Sequence, residues 1–97
     1  MFRTLPGKVK NVQITDYSDD CVSLKWRHVG NYKKLHYYIR FLDDDNFPVA
    51  YEETTENTLQ HCGLNPSTNY KIKIKAVFNS ANQGKYSKNK LFSTKAQ

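Results

Sequence analysis

Leu64-Asn65-Pro66-Ser67-Thr68-Asn69-Tyr70, continuing as Lys71-Ile72-Lys73-Ile74-Lys75-Ala76-Val77-Phe78, is the stretch whose reading decides the fold. From Tyr70 onward every second residue is apolar, which is the period of a strand with one face buried and one wet. Tyr70, Ile72, Ile74, Ala76 and Phe78 point one way, while Lys71, Lys73 and Lys75 point the other. Pro66 fixes its own φ and disfavours helix at Asn65, so the segment before the strand is a stiff corner. A Tyr just past such a corner can bury its ring and return its hydroxyl to a backbone group a few residues upstream. That bond would tie the crossover between two sheets.

Working outward, Cys21-Val22-Ser23-Leu24-Lys25-Trp26 alternates cleanly, with Val22, Leu24 and Trp26 on one face. Leu35, Tyr37, Ile39 and Phe41 alternate with His36, Tyr38 and Arg40. Val9, Val12 and Ile14 predict a first, edge-type strand, and Asp16 to Asp20 a turn. Val49 to Glu52 predicts a short strand, Glu52 to Asn57 a polar acidic link, Thr58 to Cys62 a weak strand, and Ser87 to Thr94 the last one. Clusters of Gly, Pro, Asn and Asp punctuate the chain, and helical spacing is never sustained. The expectation is an all-β, seven-stranded antiparallel sandwich of two sheets.

Ninety-seven residues suit one domain and are too few for two. We therefore expect a single domain over 1–97, with its core at about residues 6–94, belonging to a larger multidomain protein. Seven Tyr, five Phe and one Trp supply enough bulk for a core that needs no metal. No run approaches the roughly 20 apolar residues required to cross a bilayer, and Met1 to Pro6 holds no apolar stretch of signal-peptide length. No membrane insertion of this segment is expected. Fifteen Lys plus Arg against nine Asp plus Glu leave a net charge of +6, which permits anionic partners without choosing among them.

At the corner and strand quoted above the residues resemble a known family. Leu64, Pro66 and Tyr70, followed by Ile72, Ile74 and Ala76-Val77, are similar to the E–F corner and strand F of fibronectin type III domains. Trp26 closing the second strand, Pro6 leading into the first, and Gly84 with Ser87 before the last fit the same pattern. The resemblance runs from about Pro6 to Thr94 and implies a sandwich in which Trp26, Leu64, Pro66 and Tyr70 are structural residues. It also implies protein–protein recognition, adhesion or spacing in tandem arrays of cell-surface and matrix proteins. One departure stands out: His61 occupies the inward position before the corner, where the family usually has an apolar residue. A partly buried neutral His with a hydrogen-bond partner is the reading we adopt over a ligand role.

Catalytic signatures are missing, and no cofactor is expected. There is no Gly-rich phosphate loop, no His-Glu pair at helical spacing and no glycine-flanked nucleophilic Ser. Asp43-Asp44-Asp45 lacks the ligand spacing of a calcium loop and reads as a solvated turn. The three His and two Cys form no close ligand cluster.

In the expected sandwich Cys21 begins one strand and Cys62 ends its antiparallel neighbour, both facing outward. Such a pair can meet the roughly 4.4–6.8 Å Cα spacing of a disulfide. Two readings stand here, a bridge closing a loop of about 40 residues or two free thiols. The bridge would favour an extracellular parent, and free thiols an intracellular scaffold.

The surface offers a second candidate. Lys71, Lys73 and Lys75 face outward beside a strand presenting His36, Tyr38 and Arg40. Lys33 and Lys34 precede that strand, and Lys85, Lys88 and Lys90 flank the last one. The acids, Asp43 to Asp45 with Glu52, Glu53 and Glu56, are expected elsewhere. Either these cations simply keep an open sheet face soluble, or they form a surface for heparan sulfate or an acidic neighbouring protein. Nucleic acid is disfavoured, because no groove-reading helix is available and a single exposed aromatic is foreseen for base stacking. The resulting expectation is a non-catalytic binding, adhesion or spacer module of an extracellular receptor. Its partners would be a protein ligand or neighbouring domains of the same chain. The alternatives are an intracellular scaffold domain or an accessory domain attached to an enzyme.

Overall fold

The computed structural model describes residues 9–27, 35–79 and 82–96. Strands β1 (Gln13–Tyr17), β2 (Cys21–Lys25) and β5 (Thr58–Cys62) form one sheet in the order β1-β2-β5. The other sheet is built on β6 (Asn69–Asn79), with β3 (His36–Leu42) and then β4 (Pro48–Thr54) on one side. On its other side lie β7 (Asn82–Gln83) and β8 (Lys90–Ser93), both antiparallel to β6. Between these two pieces the chain stays on β6: Gly84 N–H donates to Ala76 O at 2.8 Å and Ser87 N–H to Ile74 O at 2.7 Å. The buried Ser87 Oγ also accepts the Ile74 N–H at 3.0 Å, replacing a ladder bond with a side-chain one. β7 and β8 are thus one interrupted edge strand, which makes seven strands in two antiparallel sheets.

The alternating residues of both sheets meet in one core. Val22, Leu24 and Trp26 face Tyr37, Ile39 and Phe41 of β3 and Ile72, Ile74 and Ala76 of β6, all essentially excluded from solvent. Trp26 meets Tyr37 edge-on with ring centroids 5.4 Å apart. Its main chain is held by Asn57, which accepts the Trp26 N–H through its carbonyl and donates from Nδ2 to Trp26 O, each at 3.0 Å.

Several boundaries differ from expectation. β1 starts later and reaches Tyr17, although Val9 is still buried in the core. β4 runs through Glu52, Glu53 and Thr54, so part of the expected acidic link is strand, held by pairing with β3. A register shift between Val77 and Asn79 buries Val77 directly after Ala76, leaving Phe78 only partly covered. A bulge adds one residue to a strand and so breaks strict alternation.

The corner behaves as a tied joint. Asn65 N–H donates to Tyr70 Oη at 2.8 Å, while the ring of Tyr70 stacks on Phe92 at 5.6 Å. Leu64 is buried, and its N–H reaches Asp20 O at 2.9 Å. Thr94 Oγ1 donates to Asn65 O at 2.6 Å and accepts the Thr68 N–H at 3.0 Å, binding the end of the chain to the corner. Gly63, at φ +94°, supplies the left-handed backbone that swings β5 into this joint. Tyr70→Phe removes one hydrogen bond without changing the packed volume. It is expected to cost about 1 kcal/mol in denaturant unfolding, with the fold retained.

Cys21 and Cys62 are exact register partners across β2 and β5, with Cα atoms 4.0 Å apart and the sulfurs bonded. The bridge lies on the outer side of the smaller sheet. One residue inward on β5, His61 faces the core, as its position predicts. It stacks on Phe41 with centroids 4.6 Å apart, and its Nδ1 lies 2.6 Å from Glu52 Oε2. Glu52 belongs to the other sheet, so this pair links the sheets on the side where β4 and β5 face each other. The partly buried His61 therefore has a hydrogen-bond partner.

Candidate anion-binding face

The outer face of the larger sheet carries most of the cationic residues singled out in the sequence. Register places Tyr38 opposite Lys75 and Arg40 opposite Lys73 across β3 and β6. On the far side of β3, Arg40 lies opposite Tyr51 and Tyr38 opposite Glu53. Lys85 and Lys88 are exposed along the interrupted edge strand. Lys33 and Lys34 lie outside the described residues.

Two of the expected residues drop out of the open stripe. His36 Nδ1 sits 3.1 Å from Glu53 Oε1, so an acid expected elsewhere shares this face and engages the His36 imidazole. Lys71 Nζ donates to Asn46 Oδ1 at 2.9 Å and to Asp44 O at 3.4 Å, which turns it toward the β3–β4 turn. Sequence order alone hides both pairings, because β4 and its turn are brought alongside by the sheet.

The three cations left on β3 and β6 converge on a residue that the sequence reading passed over. Tyr86 sits between Gly84 and Ser87, whose bonds to β6 anchor the backbone on either side. Ser87 is buried with its hydroxyl on the β6 main chain, and the ring of Tyr86 lies against the outward-facing cations of β3 and β6. Lys73 Nζ lies 4.6 Å from its centroid, Lys75 Nζ 4.9 Å and the Arg40 guanidinium 5.6 Å. Lys75 also lies 5.7 Å from the ring of Tyr38, which is 5.8 Å from Tyr51. Cations near an aromatic face are attracted by its quadrupole, by about 0.5–1 kcal/mol each where exposed. That attraction gathers three like charges that would otherwise repel.

Among the described residues no carboxylate is ion-paired with the cluster. All nine carboxylate side chains of the sequence fall among the described residues, where the ion pairs are His36–Glu53 and His61–Glu52. Neither involves Arg40, Lys73 or Lys75; Lys75 Nζ instead donates to Gln83 Oε1 at 3.0 Å. The Tyr51 phenol is held above its ordinary range, first by desolvation, then by Tyr38, Tyr86 and Glu53, with Arg40 opposing. The three tyrosines therefore form one electrostatic neighbourhood with the cations. Finding three partly exposed rings here corrects the expectation of one. Tyr51 was hidden in a strand read as short, and Tyr86 in a segment with no regular alternation.

Among the described residues no group of three or more His, Cys, Asp or Glu is placed to hold a metal ion. Among the described residues no helix is long and apolar enough to cross a membrane.

Residues 7–90 match the family model described as fibronectin type III domain. The chain belongs to the fibronectin type III domain family. Fibronectin type III domains of solved structure superimpose closely. The FN1–FN3 domains of chicken CNTN1 share 25% identity at a TM-score of 0.80, over 91% of this chain and 32% of theirs. The rat CD45 extracellular region, domains d3–d4, shares 18% at 0.79, over 94% and 51%. The sixth fibronectin type III domain from human fibronectin type III domain containing protein 3 shares 17% at 0.81, over 100% and 92%. This chain thus spans about a third of the chicken structure and half of the rat one, both of which join several domains. No curated protein sequence matches it. Fibronectin type III domains are commonly modules of adhesion and receptor proteins and are generally non-catalytic.

Proposed function

We propose that this fibronectin type III domain is a single non-catalytic binding module of a multidomain, extracellular cell-surface or secreted protein. In this reading the outer face of β3 and β6 receives an anionic partner. The observation that carries the reading is the convergence of Arg40, Lys73 and Lys75 on Tyr86 with no carboxylate paired to any of them. A face whose only role is solubility gains most from scattered charges of both signs; three gathered cations raise the local potential and steer an acidic partner. The Cys21–Cys62 bridge supports the compartment, since such bonds persist in oxidising surroundings. The resemblance to the rat CD45 extracellular region points the same way.

The test is binding to two immobilised polyanions, heparin and polyglutamate, at moderate salt. Retention on at least one, lost in the Lys73→Gln/Lys75→Gln double variant and kept in Lys25→Gln on the other sheet, is the expected result. Retention on neither surface would leave a plain spacer and remove the anionic partner.

A further inference from the structure

We infer that the partner of this face is a sulfated polysaccharide, lying flat across β3 and β6 with Tyr86 holding the cations that receive its sulfates. The inference rests on the reading of an anionic partner given above and names its chemical class.

Geometry separates the polyanions. Lys73 and Lys75 are two residues apart on one strand, so their stems rise about 6.7 Å from each other. Arg40 stands directly across from Lys73, about 4.8 Å away between neighbouring strands. The cations therefore occupy three corners of a small flat cell, with Tyr38 at the fourth. Their charged ends close instead on the ring of Tyr86, 4.6, 4.9 and 5.6 Å from its centroid, so the ring fills the place where a single phosphate or sulfate would sit. A ligand that satisfies all three must carry several anionic groups along an extended body.

What the face lacks decides between such ligands. Its backbone amides and carbonyls are spent on the β3–β6 and β3–β4 ladders, so it presents side chains only. An extended acidic peptide on this surface would find no partners for its own main chain; peptides that bind sheets add to an edge instead. A polysaccharide has no amide ladder to satisfy. Its sulfates accept charge-assisted hydrogen bonds from Lys and Arg, and its apolar C–H faces can lie on the rings of Tyr38, Tyr51 and Tyr86. A single-stranded nucleic acid also combines charge with stacking, and it is kept as an outcome of the test.

Tyr86 is a positioning residue in this scheme. Its ring draws Lys73, Lys75 and Arg40 together before any ligand arrives, which lowers the ordering cost on binding. Lys85 and Lys88, exposed on the same edge strand, extend the strip for a longer chain.

The probe is a size-defined heparin oligosaccharide titrated into the whole chain, with the same oligosaccharide after desulfation, inorganic sulfate, polyglutamate and single-stranded DNA as comparisons. Heparin is expected to bind with an affinity that falls as salt rises. Desulfated sugar and inorganic sulfate at matched ionic strength should not bind. Lys73→Gln/Lys75→Gln should weaken heparin binding about tenfold or more, by the loss of two charge-assisted contacts. Lys73→Arg/Lys75→Arg and Lys25→Gln should leave it close to the parent value. Tyr86→Ala should weaken it and Tyr86→Phe restore it, since the ring and not the hydroxyl attracts the cations; equal melting temperatures would separate this from a loss of fold.

Polyglutamate or DNA binding as well as heparin, with the same dependence on Lys73 and Lys75, would overturn the polysaccharide and leave an anionic partner in place. Heparin binding that ignores the double variant would place the site elsewhere and overturn the inference. Binding of no polyanion would remove both proposals together.

Discussion

Trp26→Ala is expected to lower the free energy of unfolding by roughly 3–5 kcal/mol, the range for removing a large buried aromatic from a core. Trp26 is 2% exposed and lies between the two sheets, in edge-on contact with Tyr37. Its indole N–H has no acceptor among the described residues, so what the side chain supplies is volume and apolar surface. Alanine would leave a void bounded by strands of both sheets, which cannot close without shifting a ladder. Small domains have about 5–15 kcal/mol in total, so this one change removes a large share. Denaturant unfolding followed by circular dichroism measures it, with an unchanged slope showing that the loss is one of stability. Trp26→Phe should recover more than half the deficit. A cost below about 1 kcal/mol for the alanine variant would mean that the indole is not wedged between the sheets.

Replacing both Cys21 and Cys62 by alanine is expected to cost about 4 kcal/mol, mainly by freeing the unfolded chain. The bond spans a sequence separation of 41, so its loss returns considerable loop entropy to the denatured state. The folded domain should change little, because Val22 to Lys25 remain paired with Thr58 to His61. A reducing agent should reproduce the effect in the parent and have none in the double variant. Cys21 begins β2 and Trp26 directly follows its last residue, about 16 Å away at strand rise. Their effects should therefore add, and the combined variant should be close to unfolded at room temperature. A marked shortfall from additivity would show that the bridge and the core are coupled through β2.

The candidate face was legible only in part. Lys71, Lys73 and Lys75, with Tyr38 and Arg40, follow from period-two alternation, because a strand with one buried face must show the other. Tyr86 did not follow, since it lies where the edge strand is interrupted and its neighbours obey no period. Its orientation is set by two main-chain bonds and the Ser87 hydroxyl, all made to a strand about ten residues earlier in the chain. Nor did the capture of Lys71 by the 43–47 turn and of His36 by Glu53 follow, for each joins residues far apart in sequence.

By itself, the sequence determined the class of fold and its joints: alternation chose strands, Pro66 and Tyr70 marked the corner, and the positions of Cys21 and Cys62 allowed a bridge. These are local properties, carried by backbone preference and by which residues avoid water. Tertiary structure alone decided which charges are paired and which are left open. Electrostatic partnership depends on distances of a few ångströms between strands: pairing β3 with β4 brought Glu53 to His36, packing the two sheets brought Glu52 to His61, and neither put a carboxylate in an ion pair with Arg40, Lys73 or Lys75.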